Sequence, residues 1–100
     1  MRIFNKSAVE RYASRHASAR ESLRAWYAEA TAARWLTPED VKAQFPKASV
    51  IANNWMVFDI AGGRYRLIVS INYSFQASYI KFFGTHAEYD RIDAASVDQS

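Results

Sequence analysis

The sequence predicts an α+β fold in which an N-terminal strand and helices pack on one face of a mainly antiparallel sheet of three to five strands. Two observations lead there. Helix-spaced apolar residues are confined to the part of the chain before Phe45. From Ser49 onward the apolar positions switch to a period of two, broken by the turn-forming pairs Asn53-Asn54 and Gly62-Gly63. Helices first and a meander second is the order expected when helices cover one side of a sheet.

A chain of 100 residues, half of them hydrophobic and 15% aromatic, builds one core and has no room for a second. Residues 1–93 are assigned to that domain. Residues 94–100, AASVDQS, carry no stripe and no anchor, and are expected to fray as a flexible tail. No run approaches the roughly 18 apolar residues of a membrane span, and MRIFNKSAVER lacks the apolar stretch of a signal peptide. A cytoplasmic protein with no membrane contact is therefore expected. The absence of cysteine excludes a disulfide frame and a thiolate nucleophile, and two histidines are few for a metal centre, so no metal and no cofactor are expected. The net charge of +3 suits a polyanionic partner but is also common on ordinary domains.

Arg2 to Asn5 reads as an opening strand that joins the later sheet. Ser7 and Glu10 form an S-x-x-E capping box, which predicts a helix over Ala8–His16 with Val9, Tyr12 and Ala13 buried. Ser18 and Glu21 repeat the signal and predict a second helix over Ala19–Ala33. Its Leu23, Trp26, Tyr27 and Ala30 fall at i, i+3, i+4 and i+7, a stripe to lay across the sheet. Thr37, Pro38 and Asp40 predict a short helix to Gln44, ended by Pro46 and read as a connector outside the core. Val50-Ile51 and Trp55–Ile60 are the next strands, with Met56, Phe58 and Ile60 aligned. Along Arg64–Tyr73, Tyr65, Leu67, Val69 and Ile71 point to the core, while Arg64, Arg66, Ser70 and Asn72 point away and Ile68 interrupts the polar side. In Ala77–Phe83, Ile80 and Phe82 share one side, Tyr79 and Lys81 the other. Gly84 then releases the chain into the polar THAEYD. The sheet face away from the helices is expected to stay open and to carry Arg66 and Lys81, with His86 and Tyr89 brought beside them, a place to hold a phosphate.

The order of elements, together with NNWMVFDIAGGRYRLIVSINY and YIKFFGTHAEYD, resembles the HigB family of toxins within the RelE-like group. The match runs from RIFNKS to YDRID, and GTHAEYD is its most specific part. The resemblance implies a RelE-like fold and cleavage of messenger RNA, usually on translating ribosomes, that arrests growth. It also implies a cognate helix-turn-helix antitoxin that neutralises the toxin, with operator DNA bound only through the complex.

RNA can be cut by its own 2′-hydroxyl, which leaves three tasks: taking the 2′ proton, stabilising charge on the phosphorane-like transition state, and protonating the leaving 5′ oxygen. His86 is the candidate acid or base. Arg66 is the candidate clamp, able to grip two phosphate oxygens. Lys81 shares the clamp or donates a proton, and Tyr89 stacks or donates a hydrogen bond. Asp90 orients His86 and, with Arg64, Lys6, Asn72 and Tyr73, is a candidate RNA contact. From pattern alone, alternating charge on an exposed antiparallel face mainly confers solubility, and His86 is a loop residue or part of a last helix capped by Thr85. His16, Arg11, Arg15, Arg20 and Arg24 read as a solvated face. Trp26 reads as core, and Trp55 is left open between core and base stacking. The alternative function is a catalytically weak module that binds its antitoxin and acts in operon autoregulation.

Overall fold

The structure, a computed structural model, describes residues 1–52 and 54–97. The chain runs β1 (Arg2–Phe4), α1 (Lys6–Arg15), a 3₁₀ turn at Ala17–Ala19, α2 (Arg20–Ala32), α3 (Pro38–Gln44), β2 (Ser49–Ala52), β3 (Trp55–Ile60), β4 (Tyr65–Asn72), β5 (Ala77–Thr85) and α4 (His86–Asp90). The five strands form one sheet in the order β1-β5-β4-β3-β2. All neighbours are antiparallel except β1, which lies parallel to β5 after the helical crossover. The α+β architecture expected from the sequence is therefore the one observed. No helix among the described residues is long and apolar enough to cross a membrane.

Two helices separate near His16, as expected, but not through the expected caps. Asn5, at φ 71°, stands at the α1 N-cap position without a side-chain cap bond, and α2 starts after Ala19, also uncapped by a side chain. The Ser7 hydroxyl donates to Asn5 Oδ1 instead. That of Ser18 meets the Tyr65 hydroxyl at 2.6 Å. Both hydroxyls find better-placed partners than the orphan amides of a helix end. Thr37 does cap α3, its Oγ1 accepting from the Asp40 amide at 3.3 Å. This short helix belongs to the core, contrary to its reading as a connector: Val41 is fully buried and Phe45 packs edge-on against Phe58, 5.2 Å between ring centres.

Helices and sheet enclose Val9, Tyr12, Leu23, Trp26, Trp35, Met56, Phe58, Leu67, Val69, Ile71, Ile80 and Phe83. Trp26 meets Phe58 at 5.3 Å and lies in this core, as read from the α2 stripe. The opposite face is not simply open. Val57, Ile68 and Phe82 form a second small cluster, covered by Trp55, Tyr89, Ile92, Ala94 and Val97. Ile68 is thus not a flaw in a polar face but the centre of that cluster. Ala94 and Val97, assigned from sequence to a fraying tail, pack there too; residues 98–100 lie outside the described part, as does Asn53 of the Asn53-Asn54 turn.

A register change explains why Ile80 and Phe82 do not share a side. Ile68 pairs with Phe82 while the next residue, Val69, pairs with Ile80, so Lys81 is an extra residue in β5. A bulge of this kind inverts the inside-outside alternation beyond it. Ile80 stays under the helices, Phe82 turns to the second cluster and Phe83 returns to the helix side.

Candidate active site

The hairpin between β3 and β4 sets the site. Ala61, Gly62 and Gly63 all take positive φ (55°, 67° and 92°); Gly62 and Gly63 do so without the clash of a Cβ, and Ala61 bears the strain of the turn's first position. This tight turn fixes the register, so Asp59 stands opposite Arg66 across the two strands. Arg66 Nε lies 3.3 Å from Asp59 Oδ1, with the two side chains 17% and 27% exposed. Its Nη1 donates to the Gly63 carbonyl as well. The guanidinium is held on two sides and keeps a partly solvated edge.

α4 closes over this arginine. Its N-terminus is a capping box: Thr85 Oγ1 accepts from the Glu88 amide at 3.1 Å, and Glu88 Oε1 accepts from the Thr85 amide at 2.7 Å. Gly84 stays inside β5 rather than releasing the chain, and a Cβ there would come within 2.7 Å of the Phe82 ring and 2.9 Å of Glu88 Oε1. Glycine is what lets α4 sit so near the sheet. The His86 amide donates to the Arg64 carbonyl at 2.9 Å, which ties the start of α4 to the β4 turn. Tyr89 then faces the sheet with Arg66 Cζ 6.0 Å from its ring centre. His86 Nδ1 lies 3.1 Å from Asp90 Oδ2, and both side chains are more than half exposed. With its proton on Nδ1, the imidazole presents Nε2 to solvent.

Arg66 and Tyr89 are thus brought together, while His86 and Asp90 pair with each other on the exposed side of the same short helix, and Arg64 is exposed at the turn that holds its start. Lys81 is on the same sheet face but not beside Arg66: the bulge sets its Nζ 5.7 Å from the Trp55 ring centre. Lys6 lies in the helical layer on the other side of the sheet, 6.0 Å from the Tyr27 ring. Asn72 ends β4, its Oδ1 accepting from the Phe75 amide at 3.0 Å to hold the β4–β5 turn. Tyr73 packs against the helix-side core, where burial, with Glu39 and Asp40 nearby, pushes its phenol up and keeps it neutral. Asp59 was missed, although folding the strands about Gly62-Gly63 would have set it against Arg66.

A family model for the HigB toxin, described as the RelE-like toxic component of a toxin-antitoxin system, matches residues 19–92. The chain belongs to the HigB toxin family. A curated relative, the mRNA interferase HigB of Escherichia coli O6:H1, is 29% identical over 94 residues, 92% of this chain and 91% of the relative. The span matched to the HigB model holds all of β2 to α4, and with them Asp59, Arg66, Lys81, His86 and Tyr89. It leaves out β1 and α1, where Lys6 lies. The RelE-like fold of this HigB-family chain is the α+β sandwich described above.

The α4 cap of this HigB chain makes a testable contribution. Hydrogen bonding from the Thr85 amide, more than any other influence, holds the Glu88 carboxyl below its ordinary 4.5. A lowered acid stabilises above the unfolded value and loses that contribution as pH falls through the folded one. Thr85→Ala is expected to cost about 1 kcal/mol by urea unfolding at neutral pH. Glu88→Gln should flatten the loss of stability below the ordinary glutamate range; an unchanged acid profile would count against the cap.

Proposed function

We propose that this HigB-family chain is a metal-independent endoribonuclease that cuts messenger RNA on translating ribosomes. The carrying observation is the Arg66 guanidinium, fixed by Gly63 and Asp59 under Tyr89, beside a helix that presents a histidine paired with a carboxylate. A phosphate entering there meets a cation whose orientation is already set, which is the condition for stabilising charge that develops in the transition state. Asp59 keeps that cation paired until the phosphate arrives.

In the reaction the 2′ oxygen of the upstream ribose attacks the neighbouring phosphorus, the O2′–P bond forms and the P–O5′ bond breaks. The products are a 2′,3′-cyclic phosphate and a 5′-hydroxyl. Arg66 takes the added charge on the non-bridging oxygens. His86 takes the 2′ proton on Nε2 and returns it to the leaving O5′ while Asp90 holds the ring, and the Tyr89 face bounds the site next to the phosphate. Lys81, set apart by the bulge, draws the RNA backbone to the sheet and acts in binding. The partner implied by the family is a cognate antitoxin, here taken to be a helix-turn-helix protein through which the pair reaches operator DNA, and the setting is the cytoplasm.

The test maps transcript ends by primer extension soon after induced expression in a bacterial host. New cuts within coding regions are expected, and they should vanish when initiation is blocked. With purified protein and programmed ribosomes, EDTA at a level that leaves the ribosomes intact should spare cleavage, and a 2′-deoxy substitution at the cut site should abolish it. Products ending in a 3′-hydroxyl and a 5′-phosphate would overturn this route.

A further inference from the structure

The sheet face that bears Arg66 also carries a row of aromatic side chains that the catalytic group does not use. Phe4 pairs with Tyr79, Tyr79 with Ser70 and Ser70 with Trp55, so one line perpendicular to the strands crosses β1, β5, β4 and β3. The Phe4 and Tyr79 rings stack at 4.8 Å and 10° and are 36% and 41% exposed, so the stacked pair meets solvent. Arg2 lies 5.0 Å from the Phe4 ring and Lys81 5.7 Å from the Trp55 ring, so a cation sits over each end of the row. Ser70, on the pleat opposite Val69 and Ile71, is the small residue of the row between Tyr79 and Trp55.

We propose that this row is a stacking platform for unpaired bases of single-stranded RNA, lying along the strand from the scissile phosphate held at Arg66. The inference rests on the nuclease reading and adds to it where neighbouring nucleotides bind. Ser70 is four residues along β4 from Arg66, roughly 13 Å, a span of a few nucleotides of extended strand. Flat π faces accept any base, and the flanking cations follow the backbone, which together give sequence-tolerant binding. The same cations favour RNA over an apolar peptide as the occupant.

The experiment measures binding of the full chain to 2′-O-methyl RNA, which cannot be cut, as a hexanucleotide and as a dinucleotide by fluorescence anisotropy. Wild type should bind the hexamer more tightly. Tyr79→Thr, which keeps a β-favouring residue but removes the ring, should weaken the hexamer about 5- to 150-fold and leave the dinucleotide unchanged. Tyr79→Phe should restore it, since stacking needs the ring and not the hydroxyl. A wild type with no preference for the longer RNA overturns the proposal, as does a folded Tyr79→Thr chain that binds the hexamer normally. Loss of antitoxin binding alone would reassign the row to a protein partner. Failure of the nuclease reading shows separately, as intact transcripts from wild-type protein.

Discussion

Arg66→Ala is expected to lower transcript cleavage by about 10²- to 10³-fold, the range for removal of one preorganised donor to a developing anion. The effect should be large because the guanidinium is fixed before substrate binds: the Gly63 carbonyl and Asp59 hold it, and Tyr89 limits its swing. Arg66→Lys keeps the charge but not the planar grip on two oxygens, so it should fall between wild type and Arg66→Ala. Removing the arginine also leaves the Asp59 carboxylate without its cation, and lost stability must be separated from lost chemistry. The pair Asp59→Asn with Arg66→Ala removes both charges and should fold normally while remaining inactive. The measurement is primer-extension mapping in cells, beside copurification with the antitoxin. A chain whose role is antitoxin binding and operon autoregulation would show no new transcript ends even as wild type and would keep antitoxin binding with Ala at this position, and that result would sink the nuclease reading.

The order of elements and the split between helical and period-two patterning were legible because both follow from local spacing. So was the α2 stripe, which the fold uses as read. What failed was the assumption that alternation continues without interruption. Nothing local marks Lys81 as an extra residue, since it sits between Ile80 and Phe82, which look like two positions of one face. The bulge exists only in relation to β4, and a single strand does not reveal its partner's register. Capping was misread for a different reason. Ser7-Glu10 and Ser18-Glu21 have the right spacing but other partners for their hydroxyls, whereas Thr85-x-x-Glu88, with the same signature, forms the box. Three matching tetrads and one true box show how weak that motif is without its surroundings. Within the candidate site, Arg66, His86 and Tyr89 could be named from the sequence as candidates, but the pairing of Arg66 with Asp59 required the turn register to be carried through.

His86→Ala is the other large effect, expected to slow cleavage by about 10²- to 10⁴-fold, the usual worth of a positioned proton-transfer group. Its side chain is 54% exposed and makes no part of either core cluster, and the cap of α4 belongs to Thr85 and Glu88. Its tie to the fold is the main-chain amide, which donates to the Arg64 carbonyl in any variant. Stability and antitoxin binding should therefore be unchanged, which makes this a cleaner probe of chemistry than Arg66. Asp90→Asn should give a smaller loss, since it leaves the imidazole in place but removes the carboxylate that steadies Nδ1 and thereby offers Nε2 to the reacting oxygen. The size of the loss separates the two: His86→Ala should remove most of the cleavage rate, while Asp90→Asn should remove only part of it. A His86→Ala chain that cuts at the wild-type rate and pH optimum would leave Arg66 as a clamp without an acid or base from α4, and the proton would have to be carried by water or by the ribosome.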